Sequence, residues 1–172
     1  APAGARVLVD KMPEQFLQIR LIAATMQQAR IIHMTRDPRD VGVSCYTVRF
    51  HDGLAWSFEL EPIARRQASY EAVMAHWLNV LPWGCMLEVP YEELVHQPKA
   101  WTACVLEFLG LTWQPACVHR HQETENPVRT SSVAQVREPI SRSSVGRWQR
   151  FGDSPLGQPV VDGAASVNTC HQ

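Results

Sequence analysis

The apolar positions of the chain change their period several times, and each change marks an element. Val7-Leu8-Val9 is an apolar run of strand length, and the turn behind it, Asp10-Lys11-Met12-Pro13-Glu14, carries a proline and an acid suited to a helix first turn. The spacing then predicts a helix from about Pro13 to Gln28. A second strand, Ile31 to Thr35, runs into Arg36-Asp37-Pro38-Arg39-Asp40, where Asp37 is placed to cap a helix and Pro38 to occupy its first position. The order strand, helix, strand, helix predicts parallel strands and a right-handed crossover. Tyr70, Val73, Met74, Trp77, Leu78 and Leu81 recur at helical spacing and predict a core helix from about Pro62 to Leu81. Cys85 to Val89 reads as a third buried strand, and Pro90 to Val95 as its turn and short helix. Trp101, Cys104, Val105, Phe108 and Leu109 then give an amphipathic helix that Gly110 ends.

In an open parallel α/β sheet, ligands bind outside the carboxyl ends of the strands. That rule singles out Lys11, Arg36 and Tyr91, each placed just beyond a predicted strand. A guanidinium at Arg36, beside free N–H groups and the positive end of a helix, suits a phosphate. Ser44 follows Asp37 by two helical turns and returns to nearly the same face, where its hydroxyl could serve the same anion. The plain alternative pairs Arg36 with Asp37 or Asp40 as a surface salt bridge and leaves Lys11 and Tyr91 as ordinary turn and packing residues. Trp56 and Phe58, after a polar connector through His51-Asp52-Gly53, either pack over the core or line a pocket for a substrate.

Composition narrows the function classes. The 172 residues are 45% hydrophobic, which is one domain by size with bulk enough for a core. A formal net charge of −1 argues against a nucleic-acid or membrane-surface protein, since both depend on a basic excess. Five scattered cysteines, Cys45, Cys85, Cys104, Cys117 and Cys170, read as buried free thiols in a reducing compartment. With no signal peptide pattern and no apolar run long enough to span a bilayer, the expected location is the cytoplasm. Cys117-Val118-His119-Arg120-His121 lacks a second ligand pair of recognised spacing, so no metal is expected. Arg129 to Arg150 holds five arginines against one acid, Glu138, preceded by hydroxyls at Thr130, Ser131 and Ser132. Beyond Phe151 the chain is rich in Gly, Pro, Ser and Ala and is expected to fray.

Arg36-Asp37-Pro38-Arg39-Asp40 with Ser44 resembles the 3′-phosphate-binding motif of sulfotransferases that use 3′-phosphoadenylyl sulfate (PAPS). Asp10-Lys11-Met12-Pro13 resembles the lysine turn of protein-tyrosine sulfotransferases and of bacterial sulfotransferases fused to tetratricopeptide repeats. Val89-Pro90-Tyr91-Glu92-Glu93-Leu94 resembles a strand-to-helix element of the same family. Thr130-Ser131-Ser132-Val133-Ala134-Gln135-Val136-Arg137-Glu138-Pro139-Ile140, with Ser143-Ser144-Val145-Gly146-Arg147-Trp148, resembles its C-terminal donor segment. The resemblance covers about residues 6 to 152, the expected domain, with 153 to 172 as tail. It implies an α/β, P-loop-NTPase-like sulfotransferase fold, a parallel sheet flanked by helices, here lacking the N-terminal strand and the glycine-rich phosphate loop.

By that resemblance Lys11 and Ser132 would be catalytic, steadying the sulfuryl oxygens. Arg36, Ser44 and Arg147 would hold the 3′-phosphate, and Tyr91, Ser132 and Gln135 would contact the donor, without a metal. The acceptor would be a hydroxyl on a peptide tyrosine, a carbohydrate or a small molecule. Upstream tetratricopeptide repeats are a possible companion, and the general base is expected upstream as well. Two readings stand open: the C-terminal portion of a PAPS-dependent sulfotransferase, inactive alone, or a truncated non-catalytic remnant that binds adenosine 3′,5′-bisphosphate or a partner chain. A nucleotide-independent anion-binding module is a third.

Overall fold

The computed structural model describes residues 7–47, 55–119 and 139–152. Two parallel strands, β1 (Ile31–Thr35) and β2 (Met86–Pro90), form the sheet, and helices α1 (Ile19–Thr25), α2 (Pro38–Thr47), α3 (Leu60–Val80), α4 (Tyr91–His96), α5 (Pro98–Phe108) and α6 (Ala116–His119) surround it. Short 3-10 helices at Pro13–Gln18, Ala55–Phe58 and Arg147–Phe151 complete the described elements. The parallel order follows from the long connection between the strands, which carries α2 and α3, because only a crossover of that length returns the chain to the same end of a sheet. The chain is thus α/β, as its periodicities predict.

The register pairs Ile31 with Met86, His33 with Glu88 and Thr35 with Pro90. Both strands therefore end at the same level, and Arg36 and Tyr91 leave the sheet side by side. Val89, fully buried, anchors β2 beneath this edge, and Val43 of α2, Ile63 and Met74 of α3, Ile19 of α1 and Val95 of α4 make up the apolar core among the described residues. α3 is tied to the N-terminal segment by the Trp77 indole N–H, which donates to the Phe16 carbonyl at 2.9 Å, and by the edge-to-face contact of Phe16 with Tyr70, centroids 5.3 Å apart.

Two elements differ from expectation. Val7 to Val9 do not form a strand; they are 47%, 77% and 82% exposed and pair with neither β1 nor β2. Apolar composition favours a strand only where another strand takes up its N–H and C=O groups, and no described strand does so here. The helix expected from Pro13 opens instead as a 3-10 turn and ends at Thr25, whose hydroxyl bonds back to the Leu21 carbonyl at 2.7 Å. α5 ends as expected, with Gly110 in the left-handed region at φ +66°. No disulfide joins Cys45, Cys85, Cys104 and Cys117; Cys117 is exposed and the other three are half-buried, so the expected deep burial is not found. Among the described residues no group of His, Cys, Asp and Glu could hold a metal ion, and no helix is long and apolar enough to cross a membrane.

Candidate functional site at the carboxyl edge of the sheet

The Arg36 guanidinium stacks over the Tyr91 ring, 4.7 Å from its centroid, and its Nη2 donates to the Ser144 carbonyl at 2.6 Å. One side chain thus joins the end of β1, the end of β2 and the C-terminal segment. Neither Asp37 nor Asp40 forms an ion pair with it, so the salt-bridge alternative is not what the chain adopts. Its Nε is buried without a hydrogen-bond partner among the described residues, an orphaned donor on a cation held beside an aromatic ring. The charge of Arg36 also reaches the last turn of α2: burial pushes the Cys45 thiol up, and Arg36 pulls against that rise. Cys45 adjoins Ser44, which lies half-buried on the same helix.

Both acids of the motif work inside the fold. Asp37 caps α2, accepting the Arg39 N–H at 2.8 Å, and takes the Arg39 side chain in a two-point ion pair through Nε at 3.0 Å and Nη2 at 2.7 Å. Burial raises the Asp37 carboxyl, but the bonds and charge of Arg39 and the Asp40 N–H outweigh it and leave it below its ordinary value. Glu92 of α4 accepts the Asp37 N–H at 3.0 Å. The first N–H groups of α2 are therefore already taken by carboxylates, contrary to the free helix end expected from the sequence. An anion here would fall to the Arg36 side chain rather than to the helix terminus.

Asp40 is 1% exposed, and its carboxylate accepts the Gly146 N–H at 2.6 Å and the Trp148 N–H at 3.0 Å. The Arg39 guanidinium lies over the Trp148 ring at 3.7 Å, and Arg142 Nη2 donates to the His96 carbonyl at 3.3 Å. These ties hold residues 142–148 at the sheet edge and place Arg147, half-buried, three residues beyond the Ser144 carbonyl that Arg36 holds. The sequence offered Asp40 only as a salt-bridge partner for Arg36, and Arg39 and Glu92 only as members of longer motifs; none of the three was assigned the role it has here.

Lys11 is exposed, and its turn is closed by Gln15, which accepts the Met12 N–H at 3.1 Å and reaches Asp10 at 2.5 Å. Ser132 and Gln135 lie outside the described residues. Trp56 lines an open cleft of about 340 Å³ with Pro62, Arg65, Arg66 and Ser69, while Phe58 is 55% exposed. Both arginines of that cleft are paired, Arg65 with Glu61 and Arg66 with Glu14.

The described residues thus form a parallel α/β pair that delivers an arginine and a tyrosine to one edge, where a C-terminal turn meets them. The comparisons sharpen this: residues 1–115, about two thirds of the chain, match the sulfotransferase family, and the chain belongs to that family. An uncharacterized protein of Aquifex aeolicus is 35% identical over 147 residues, which span 84% of this chain and 19% of that protein. Protein-tyrosine sulfotransferase 1 of Danio rerio is 25% identical over 168 residues, spanning 88% of this chain and 44% of the fish protein. The chain thus covers less than half the length of either relative. Arg147 lies beyond the family-matched span.

Proposed function

We propose that this chain supplies the 3′-phosphate side of the donor site in a PAPS-dependent sulfotransferase that modifies a hydroxyl acceptor in the cytoplasm. One observation carries the reading. Arg36 is held at the carboxyl edge of a parallel sheet, stacked on Tyr91, with no carboxylate partner among the described residues and with a buried Nε that has no partner among them. Such a cation has no counter-charge among the described residues, and a guanidinium is the group that best matches a phosphate in two-point contact. The donor fits this setting: Arg36 and Arg147 would neutralise its 3′-phosphate, Ser44 would add a hydroxyl, and Tyr91 would meet the nucleotide.

When bound, the donor supplies a sulfuryl group on a phosphate leaving group, a transfer governed by positioning and charge neutralisation. Arg36 and Arg147 contribute positioning, since they grip a part of the donor that does not react. Lys11 and Ser132 are the groups assigned to the sulfuryl oxygens by resemblance. Lys11 is exposed and has no ion-pair partner among the described residues, which leaves it able to turn toward a ligand.

Calorimetric titration of the chain with adenosine 3′,5′-bisphosphate, with AMP as the control and Arg36→Ala as the variant, tests the reading. Saturable binding that needs the 3′-phosphate and weakens on the order of tenfold or more in Arg36→Ala is expected, as for loss of a charge-assisted contact. Equal affinity for the two nucleotides, or indifference to Arg36, would refute it.

A further inference from the structure

A carboxylate that is 1% exposed, as Asp40 is, must be matched inside the protein or it destabilises the fold by several kcal/mol. Here the match comes from main-chain donors. Gly146 and Trp148 point their N–H groups at the two oxygens of Asp40, at 2.6 and 3.0 Å, across 106 and 108 residues of sequence. The geometry requires Gly146 to sit at φ +67°, ψ 21°, a left-handed conformation that turns nearby N–H groups toward one point. A Cβ at Gly146 would meet nothing closer than the Gln149 side chain at 3.5 Å, so it is the backbone angle and not lack of space that calls for glycine.

Such a turn of converging N–H groups is an anion-binding shape, and in this chain the anion is internal. The consequence falls on the residue between the two bonded amides. Arg147 has its backbone fixed on both sides, three residues from the carbonyl that Arg36 holds, and no ion pair among the described residues engages its side chain. Arg39, itself locked by Asp37, lies over the Trp148 ring at 3.7 Å.

We propose that Asp40 is a positioning residue for the anion site: its buried carboxylate fixes the Gly146–Trp148 turn so that Arg147 and Arg36 address the same phosphate. The inference rests on the donor reading given above. It assigns the second acid of Arg-Asp-Pro-Arg-Asp a part in ligand affinity that acts wholly through the backbone of another segment.

The test compares the wild-type chain with Asp40→Asn, using adenosine 3′,5′-bisphosphate and AMP in calorimetry and amide hydrogen exchange in the absence of ligand. Asparagine keeps the shape but offers one acceptor oxygen in place of two. Exchange at Gly146 and Trp148 is expected to accelerate while the Ile31 amide, bonded to the Cys85 carbonyl, keeps its protection. Affinity for the bisphosphate is expected to fall on the order of tenfold and that for AMP by less than about twofold, because only the 3′-phosphate contact is loosened. Should Asp40→Asn fail to fold, Gly146→Ala strains the same turn without touching α2 and is expected to give the same selective loss. Unchanged bisphosphate affinity, or an equal loss for both nucleotides together with lost protection at Ile31, would overturn the positioning role while leaving the donor reading in place. A wild-type chain that binds no bisphosphate would remove the donor reading and this role with it.

Discussion

Asp37 does two things at once: it caps α2 through the Arg39 N–H and it holds the Arg39 guanidinium through both oxygens. The two can be separated. Asp37→Asn retains a good cap and loses the charge, whereas Asp37→Ala loses both, so urea unfolding should show the alanine variant losing about 1–2 kcal/mol and the asparagine variant clearly less. The depressed carboxyl also fixes a sign. The Asp37 contribution is present at pH above its ordinary value of 3.8 and is lost as pH falls through the lower folded value, a dependence that Asp37→Asn should flatten. An asparagine variant as damaged as the alanine one would mean that the ion pair, not the cap, matters at this position. Residue-scale legibility follows the same division. The cap and the helix start were readable because they depend on neighbours in sequence. The roles of Asp40 and Glu92 were not, because the groups they satisfy lie 106, 108 and 55 residues away, and spacing along the chain carries no information about such partners.

Between elements, a polar chain runs across β1, β2 and α3 outside the site. His33 and Glu88 face each other in the strand register, His33 Nδ1 and Glu88 Oε1 lie 3.1 Å apart, and the other ring nitrogen meets the Tyr70 hydroxyl. With only 11% and 16% of the His33 and Glu88 side chains exposed, a neutral ring fits best, donating from Nδ1 to the carboxylate and accepting from Tyr70. Burial lowers the His33 value against the opposing pull of Glu88, and burial with the charges of Glu88 and Glu71 pushes Tyr70 up to about 12. The depressed histidine binds a proton less readily in the fold than in the unfolded chain. Stability should therefore decline as pH falls below about 6.5, the ordinary value, and level off below the folded one. Tyr70→Phe should cost about 1–3 kcal/mol at neutral pH, since it leaves a buried ring nitrogen unsatisfied. Thermal melts between pH 5 and 8 check both, and a His33→Gln variant that keeps the full slope would show that the slope arises elsewhere. The elements themselves were largely legible: β1, β2, α3 and α5 fall close to where the apolar periods put them, and α2 starts where Asp37 and Pro38 put it. This cross-link was not, since a histidine and a glutamate in two apolar strands become partners only once the register is known.

At the scale of the whole molecule, burial is uneven. Val89 is 0% exposed beneath the site, while on β1 Ile32 and Met34 are 38% and 46% exposed, so the even-numbered face of that strand lies open among the described residues. Val7 to Val9, which sequence periodicity assigned to a strand, are exposed as well. Both facts trace to one physical rule: an apolar run reads as strand by composition but is stabilised only by what covers and pairs with it. The chain spans 44% of the tyrosine sulfotransferase relative and 19% of the bacterial one, so its open strand face is set within a segment of proteins that carry more chain. Stability should then be concentrated around β2. Val89→Ala should lose about 2–3 kcal/mol from transfer and cavity together, whereas Ile32→Thr should stay within about 1 kcal/mol, because little apolar area leaves the interior. Urea midpoints for the two variants decide the matter. Comparable losses would mean that the Ile32 face is covered in solution by another surface, and dilution would then lower the Ile32→Thr cost if that surface were a second copy of the chain.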